Sequence, residues 1–284
     1  MPELPEVEVL VRHLEPLLKG KMVRGVVVHR AKSVRPASAR TLRNRLIGAR
    51  FKSVTRRAKY LLFEMQPQSQ KPPFILLGHL GMTGRMYIQP SDNPLPRHAA
   101  VTMELGSGMF VFEDTRYFGR LTLDNGPLET LGPEPLEDGF DGETLRASLR
   151  RKSQAIKVKL LDQSIVSGVG NIYASEALHQ AGISPRKMAR RLSQSQCDAL
   201  VESIRKILRQ AIECGSTVPL DFAGTSSQDG LFYYGKAVDS TGYYEEKLAV
   251  YDREDDPCFN CSTPIRRIVQ AARSTYYCPL CQRG

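Results

Sequence analysis

The chain has 284 residues and a mass of 31.8 kDa, enough for two or three modest domains that each bury a core. Its 41% hydrophobic and 25% charged residues exclude a collagen-like, coiled-coil or wholly disordered protein, and no apolar run approaches the length of a membrane span. A net charge of +10 calls for a polyanionic partner, nucleic acid or an anionic membrane surface, unless it is merely a solvated basic face.

The first residues, Met1-Pro2-Glu3-Leu4-Pro5-Glu6-Val7-Glu8, are acidic and proline-broken, unlike a secretory signal, so cytoplasm or nucleoid is the expected compartment. Val7, Leu10, Val11, Leu14, Leu17 and Leu18 recur at helical spacing, and Gly20 suits a stop, which predicts a helix over residues 3–19. Removal of Met1 would leave Pro2 with a free secondary amine. The pKa of an α-amino group is about 7.7–8.0, so part of it is a neutral nucleophile able to attack an aldehyde-level carbon. Glu3, Glu6 and Glu8 offer acid/base groups beside it. The competing reading is an ordinary helix start with acids placed to suit its dipole.

From Glu15 to Glu64 no acidic residue intervenes, and the interval holds 14 basic ones, from Lys19 to Lys59. The other 26 basic residues face 30 acidic ones, so the whole excess sits in this stretch. Between Met22 and Leu123 the pattern is of short β runs: 23–29, 51–54, 60–64, 74–77, 84–88, 100–105, 109–113 and 120–123. Turn clusters separate them, which predicts a sandwich or a barrel. Residues 127–142, rich in Gly, Pro and acid, read as a linker. Helices are predicted over 142–151, 155–161, 172–181 and 193–214, with Ser193 as N-cap and Gly215 as stop. Cys197 and Cys214 fall within helical pattern and read as core thiols.

Between the second and third helices, Val166-Ser167-Gly168-Val169-Gly170-Asn171-Ile172-Tyr173 places glycines at a helix start, where bare N–H groups suit an anion; such turns also merely connect helices. Arg150, Arg151, Lys157 and Lys159 nearby favour a phosphate. Residues 223–247 read as a mobile loop. The chain closes on Cys258-x2-Cys261, sixteen residues, then Cys278-x2-Cys281: four thiolates able to converge on one structural Zn²⁺, against the alternative of two disulfides. Arg266, Arg267 and Arg273 lie between the pairs, where the tip of a zinc hairpin can reach nucleic acid.

Several of these stretches, together with Arg57-Ala58-Lys59-Tyr60-Leu61, His79-Leu80-Gly81-Met82-Thr83-Gly84, Leu131-Gly132-Pro133-Glu134-Pro135-Leu136 and Gly168–Glu176, resemble the bacterial formamidopyrimidine-DNA glycosylase family, in order and nearly end to end. The resemblance implies an α+β multidomain fold. Its parts are an N-terminal β-sandwich with a leading helix (1–135), a helix-two-turn-helix domain (136–222), a lesion-capping loop (223–247) and a four-cysteine zinc hairpin (248–284). It implies a monomer acting on damaged double-stranded DNA, away from membranes, as a glycosylase and abasic-site lyase for 8-oxoguanine and formamidopyrimidines.

Within that resemblance Pro2 is the nucleophile, Glu3 the acid/base partner, Lys59 the lysine near base and phosphate, and Arg273 the hairpin arginine. His98, Arg116, Arg151 and Asn171 match DNA contacts, and Met82, Arg116 and Phe118 match the side chains that fill the gap left by a flipped nucleotide. Cys258, Cys261, Cys278 and Cys281 match the zinc ligands. There are departures. Asp114-Thr115-Arg116-Tyr117-Phe118-Gly119 has Thr and Tyr where the family commonly has Pro and Arg. Ser216–Leu220 carries an unusual proline, and 223–242 is longer than usual. The alternatives are an endonuclease VIII-like enzyme for oxidised pyrimidines, disfavoured by Leu4 and 79–84, and a non-catalytic zinc-containing DNA-binding protein. A membrane-surface protein would need an amphipathic basic helix, whereas the basic stretch reads as strand.

Overall fold

A computed structural model describes residues 2–68, 72–215 and 248–283. The chain forms two units; one ends at Glu129, and the other begins at Thr130 and takes in the C-terminal segment. The expectations for 216–220 and for the whole capping loop, 223–247, lie outside the described residues.

In the first unit, helix α1 (Leu4–Leu18) leads into strands β1 (Gly25–Val28), β2 (Arg50–Arg57), β3 (Tyr60–Gln66), β4 (Phe74–His79), β5 (Gly84–Gln89), β6 (Ala99–Glu104), β7 (Met109–Asp114) and β8 (Arg120–Thr122). They form two antiparallel four-stranded sheets, ordered β1-β6-β7-β5 and β2-β3-β4-β8, so the open choice between barrel and sandwich falls to two sheets. Along β3, Leu61, Phe63 and Met65 alternate inward, as a half-buried strand requires. In β2 a bulge between Phe51 and Ser53 shifts the phase, which brings Phe51 and Val54 onto the buried face together. Phe63 meets Phe110 of the other sheet edge-on at 5.8 Å, and one core holds residues of both sheets with Val7, Leu10, Leu14 and Leu18 of α1. Leu17, expected on that apolar face, is 41% exposed at the edge of the stripe in the last turn of the helix.

The basic stretch is not all strand. It contains a 3-10 turn (Ala31–Val34) and helix α2 (Ala39–Leu46), capped by Ser38, whose hydroxyl accepts from the Thr41 N–H at 3.0 Å. Only Leu42 and Leu46 of α2 are buried, too few apolar positions to give the stretch a helical signature. The case against a basic amphipathic helix there therefore fails. What remains is that among the described residues no helix is long and apolar enough to cross a membrane.

The second unit holds α4 (Gly142–Leu149), α5 (Ile156–Leu160), α6 (Asn171–Gln180) and α7 (Gln194–Glu213), after a short α3 (Gly126–Glu129) that closes the first unit inside the expected linker. Ser193 and Gln196 form a capping box on α7, and Gly215 stops it at φ +84°. Cys197 is buried in α7, whereas Cys214 is its half-buried C-cap. The chain ends in a hairpin of β9 (Arg266–Gln270) and β10 (Arg273–Tyr277).

Candidate active site

Pro2 is buried directly ahead of α1, and Glu3, the N-cap of that helix, is 2% exposed. Glu6 Oε2 accepts the Glu3 N–H at 2.7 Å within a capping box. Glu8 takes hydrogen bonds from Arg12 and Arg56, each at 2.9 Å. Burial alone would raise the Glu8 carboxyl, but these guanidiniums outweigh it and hold it below its ordinary value. Of the acids near Pro2, Glu6 and Glu8 thus serve the helix and its packing.

Strands β2 and β3 join through Ala58-Lys59, with Ala58 in the left-handed region at φ +53°, and Lys59 is buried at this turn. Across the β3–β4 register Tyr60 faces His79, their rings 4.8 Å apart. His79 Nδ1 accepts from the Gly81 N–H at 3.1 Å. Burial first, then the charges of Lys59 and Arg120, lower its pKa to about 4, so the ring is a neutral acceptor that shapes the loop after it.

That loop meets a second one at Asp114, which is fully buried. Its Oδ1 accepts from the Thr83 hydroxyl at 2.5 Å and the Arg116 N–H at 3.1 Å, and its Oδ2 from the Gly119 N–H at 2.7 Å. A Cβ on Gly81 would lie 2.6 Å from the Gly119 nitrogen, so the two loops touch backbone to backbone. The clamp presents Met82, 43% exposed, and Phe118, 48% exposed, at loop tips rather than in the β core, with Arg116 exposed between 115 and 117. His98 is half-buried, with Nδ1 3.3 Å from the Tyr117 hydroxyl.

In the second unit the phosphate-contact expectation for Lys157 is corrected. Lys157 is fully buried and donates to Asn171 Oδ1 and to the Ser274 carbonyl, while Lys159 is paired with Asp162 at 3.2 Å. Asn171 donates to the same Ser274 carbonyl at 3.0 Å, so it brackets the hairpin beside Arg273. Arg151 is exposed at the end of α4. Nor do all three hairpin arginines lie at the tip. Ala271-Ala272 makes the turn with both residues left-handed, Arg273 follows it exposed, and Arg266 and Arg267 begin β9 at the far end.

The Sγ atoms of Cys258, Cys261, Cys278 and Cys281 lie within 4.8 Å of one another. Cys261 is 3.4 Å from both Cys278 and Cys281, a convergence on one point rather than two bonded pairs. Tetrahedral zinc with bonds of about 2.3 Å needs sulphurs about 3.8 Å apart, so the set fits one structural Zn²⁺. Two residues of α6, unassigned on sequence grounds, support it. Glu176 accepts the Ala249, Val250 and Tyr251 N–H groups at 2.7–2.9 Å, and His179 Nε2 lies 3.7 Å from Cys258 Sγ. Burial raises the Glu176 carboxyl above its ordinary value, against the pull of those three amides. Their spacing of three on one helix face was the available signal.

Three family models match in order: the formamidopyrimidine-DNA glycosylase N-terminal domain over residues 1–121, its H2TH domain over 131–221, and a zinc finger found in FPG and IleRS over 255–284. A protein named formamidopyrimidine-DNA glycosylase from Thioalkalivibrio sulfidiphilus is 42% identical, with both chains covered completely. A crystal structure of a Lactococcus lactis FPG mutant with Fapy-dG-containing DNA matches at 33% identity and a TM-score of 0.87, again over the whole of both chains. The wild-type Lactococcus lactis protein with DNA containing an oxidised pyrimidine matches at 33% identity and 0.85 over the same extent.

Proposed function

Since the chain belongs to the formamidopyrimidine-DNA glycosylase family, we propose that it excises 8-oxoguanine and formamidopyrimidines from duplex DNA and then cleaves the strand at the abasic site. The observation that carries this reading is the full-length match to proteins of that name, with all three family modules in order.

The Pro2 amine attacks the deoxyribose carbon that bears the damaged base. The glycosidic bond breaks, the base departs and an iminium forms between proline and sugar. Glu3, buried beside Pro2, exchanges the proton that opens the sugar ring. The iminium acidifies the neighbouring sugar proton, so elimination breaks the strand on both sides of the lost base. Lys59 holds the base and its phosphate, and Arg273 grips the lesion phosphates and assists the second elimination. His98, Arg116, Arg151 and Asn171 contact the DNA backbone or its gap, and Met82 and Phe118 fill the space of the flipped nucleotide. Zinc bound by Cys258, Cys261, Cys278 and Cys281 stabilises the segment that carries Arg273.

The working division is 1–135 for catalysis, 136–222 for DNA grip, 223–247 over the lesion and 248–284 for the zinc hairpin, in a protein that acts as a monomer at the bacterial nucleoid. The relative solved with an oxidised pyrimidine in its DNA gives a second substrate class standing. The deciding experiment is borohydride trapping on single-lesion duplexes. Pro2 should become covalently attached to DNA holding 8-oxoguanine opposite cytosine, with base release and strand scission. Absence of an adduct from protein whose N-terminus is Pro2 overturns the mechanism, and an adduct confined to oxidised-pyrimidine duplexes transfers the chain to the second class.

A further inference from the structure

Tyr117 stands where the family commonly has arginine, in a left-handed conformation at φ +53° that a bulky residue adopts only when its surroundings impose it. Its surroundings are specific. The Arg30 guanidinium lies over the ring, 4.9 Å from the centroid, and the hydroxyl faces His98 Nδ1 at 3.3 Å. The neighbouring ring, Phe118, carries two more cations: Arg116 at 5.0 Å and Lys32 at 5.9 Å. Arg30 and Lys32 belong to the acid-free stretch, at the 3-10 turn that packs against β8.

Arg30, Lys32 and Arg116 are all exposed, and among the described residues none of them forms an ion pair. The nearest carboxylate in the same loop, Asp114, is fully buried and engaged with Thr83, Arg116 N–H and Gly119 N–H. Three like charges gathered on two adjacent rings repel one another, and the cation–π contacts offset only part of that. An arrangement of this kind is stable in the presence of a polyanion that supplies the missing counter-charge.

We propose that Arg30, Lys32 and Tyr117 form a phosphate-binding site for the DNA backbone, in which Tyr117 positions a guanidinium delivered from the 30–32 segment in place of the arginine absent from its own loop. The ring orients Arg30 from below, and the hydroxyl orients His98 beside it. The charge that the 114–119 loop lost is thereby returned from a different part of the chain. This rests on the DNA-glycosylase reading above, whose own test uses wild-type protein and covalent trapping.

The test is the salt dependence of binding to a duplex with a tetrahydrofuran abasic analogue, measured by fluorescence anisotropy. Removing one phosphate-contacting cation lowers the slope of log affinity against log salt by about 1. Arg30→Ala should show that drop together with a several-fold weaker affinity. Arg30→Lys should recover the slope and not the full affinity, because an ammonium keeps the charge and loses the planar stack. In a Tyr117→Leu background, Arg30→Ala should cost less than it does alone. Arg43→Ala, which removes the same charge from exposed α2, should leave the slope unchanged. An unaltered slope in Arg30→Ala, an equal drop in Arg43→Ala, or full additivity with Tyr117→Leu each overturns the proposal. Wild-type protein that traps covalently while Arg30→Ala keeps its slope separates failure of this site from failure of the enzymatic reading.

Discussion

His79 shows how one residue joins fold and function. Its ring lies tilted against Tyr60 and anchors the loop that presents Met82, and it stays neutral because burial, then Lys59 and Arg120, disfavour its charged form. The pKa falls from 6.5 to about 4, so the unfolded chain binds this proton more readily than the folded one between those values. The stabilisation is complete above about pH 6.5 and is lost as pH falls through about 4. Denaturant unfolding at pH 7 and pH 4.5 should therefore differ by up to a few kcal/mol, and His79→Gln should remove much of that difference. An unchanged pH dependence in the variant would show that His79 is not the source. The His79–Gly84 motif was legible as part of the site; its partner Asp114 was not, because a buried carboxylate bridging two loops leaves no periodic mark in sequence.

At the scale of elements, periodicity carried the reading as far as each element had enough apolar residues to display it. Strand β3, helix α1 and helix α7 repeat their buried positions, β6 and β7 are near-continuous buried runs, and all were foreseeable. Helix α2 has two, and it was missed. The zinc segment is held differently, by four sulphurs and by polar brackets from α6: Glu176 on the 249–251 backbone, and Asn171 with Lys157 on Ser274. Among the described residues its core is Val250, Cys258, Ile265, Tyr276 and Cys278 with a few half-buried neighbours, too little to fold such a segment alone. A chelator should thus raise amide exchange across 249–251 and 273–277 while the β2–β3–β4 ladder keeps its protection. Equal loss of protection in both places would contradict a purely local role for the metal.

At the scale of the molecule, the basic excess is unevenly used. Arg56 is spent on Glu8, Lys52 on Glu64 and Arg45 on the Phe74 ring, whereas Arg30 and Lys32 stand at the Phe118 loop. DNA affinity should still fall linearly and steeply on a log–log plot against salt, and a flat profile would show that the charge has no polyanionic partner. Residue type and short spacing by themselves gave a polyanionic partner, the order of modules and the four cysteines that suit zinc, and the family resemblance narrowed the partner to DNA and singled out Pro2 as the candidate nucleophile. Tertiary structure decided which charges are free, that Lys157 is a buried bracket and not a phosphate ligand, and that Tyr117 meets Arg30. Those outcomes depend on contacts between residues far apart in the chain, where spacing carries no information and only folding sets the distance.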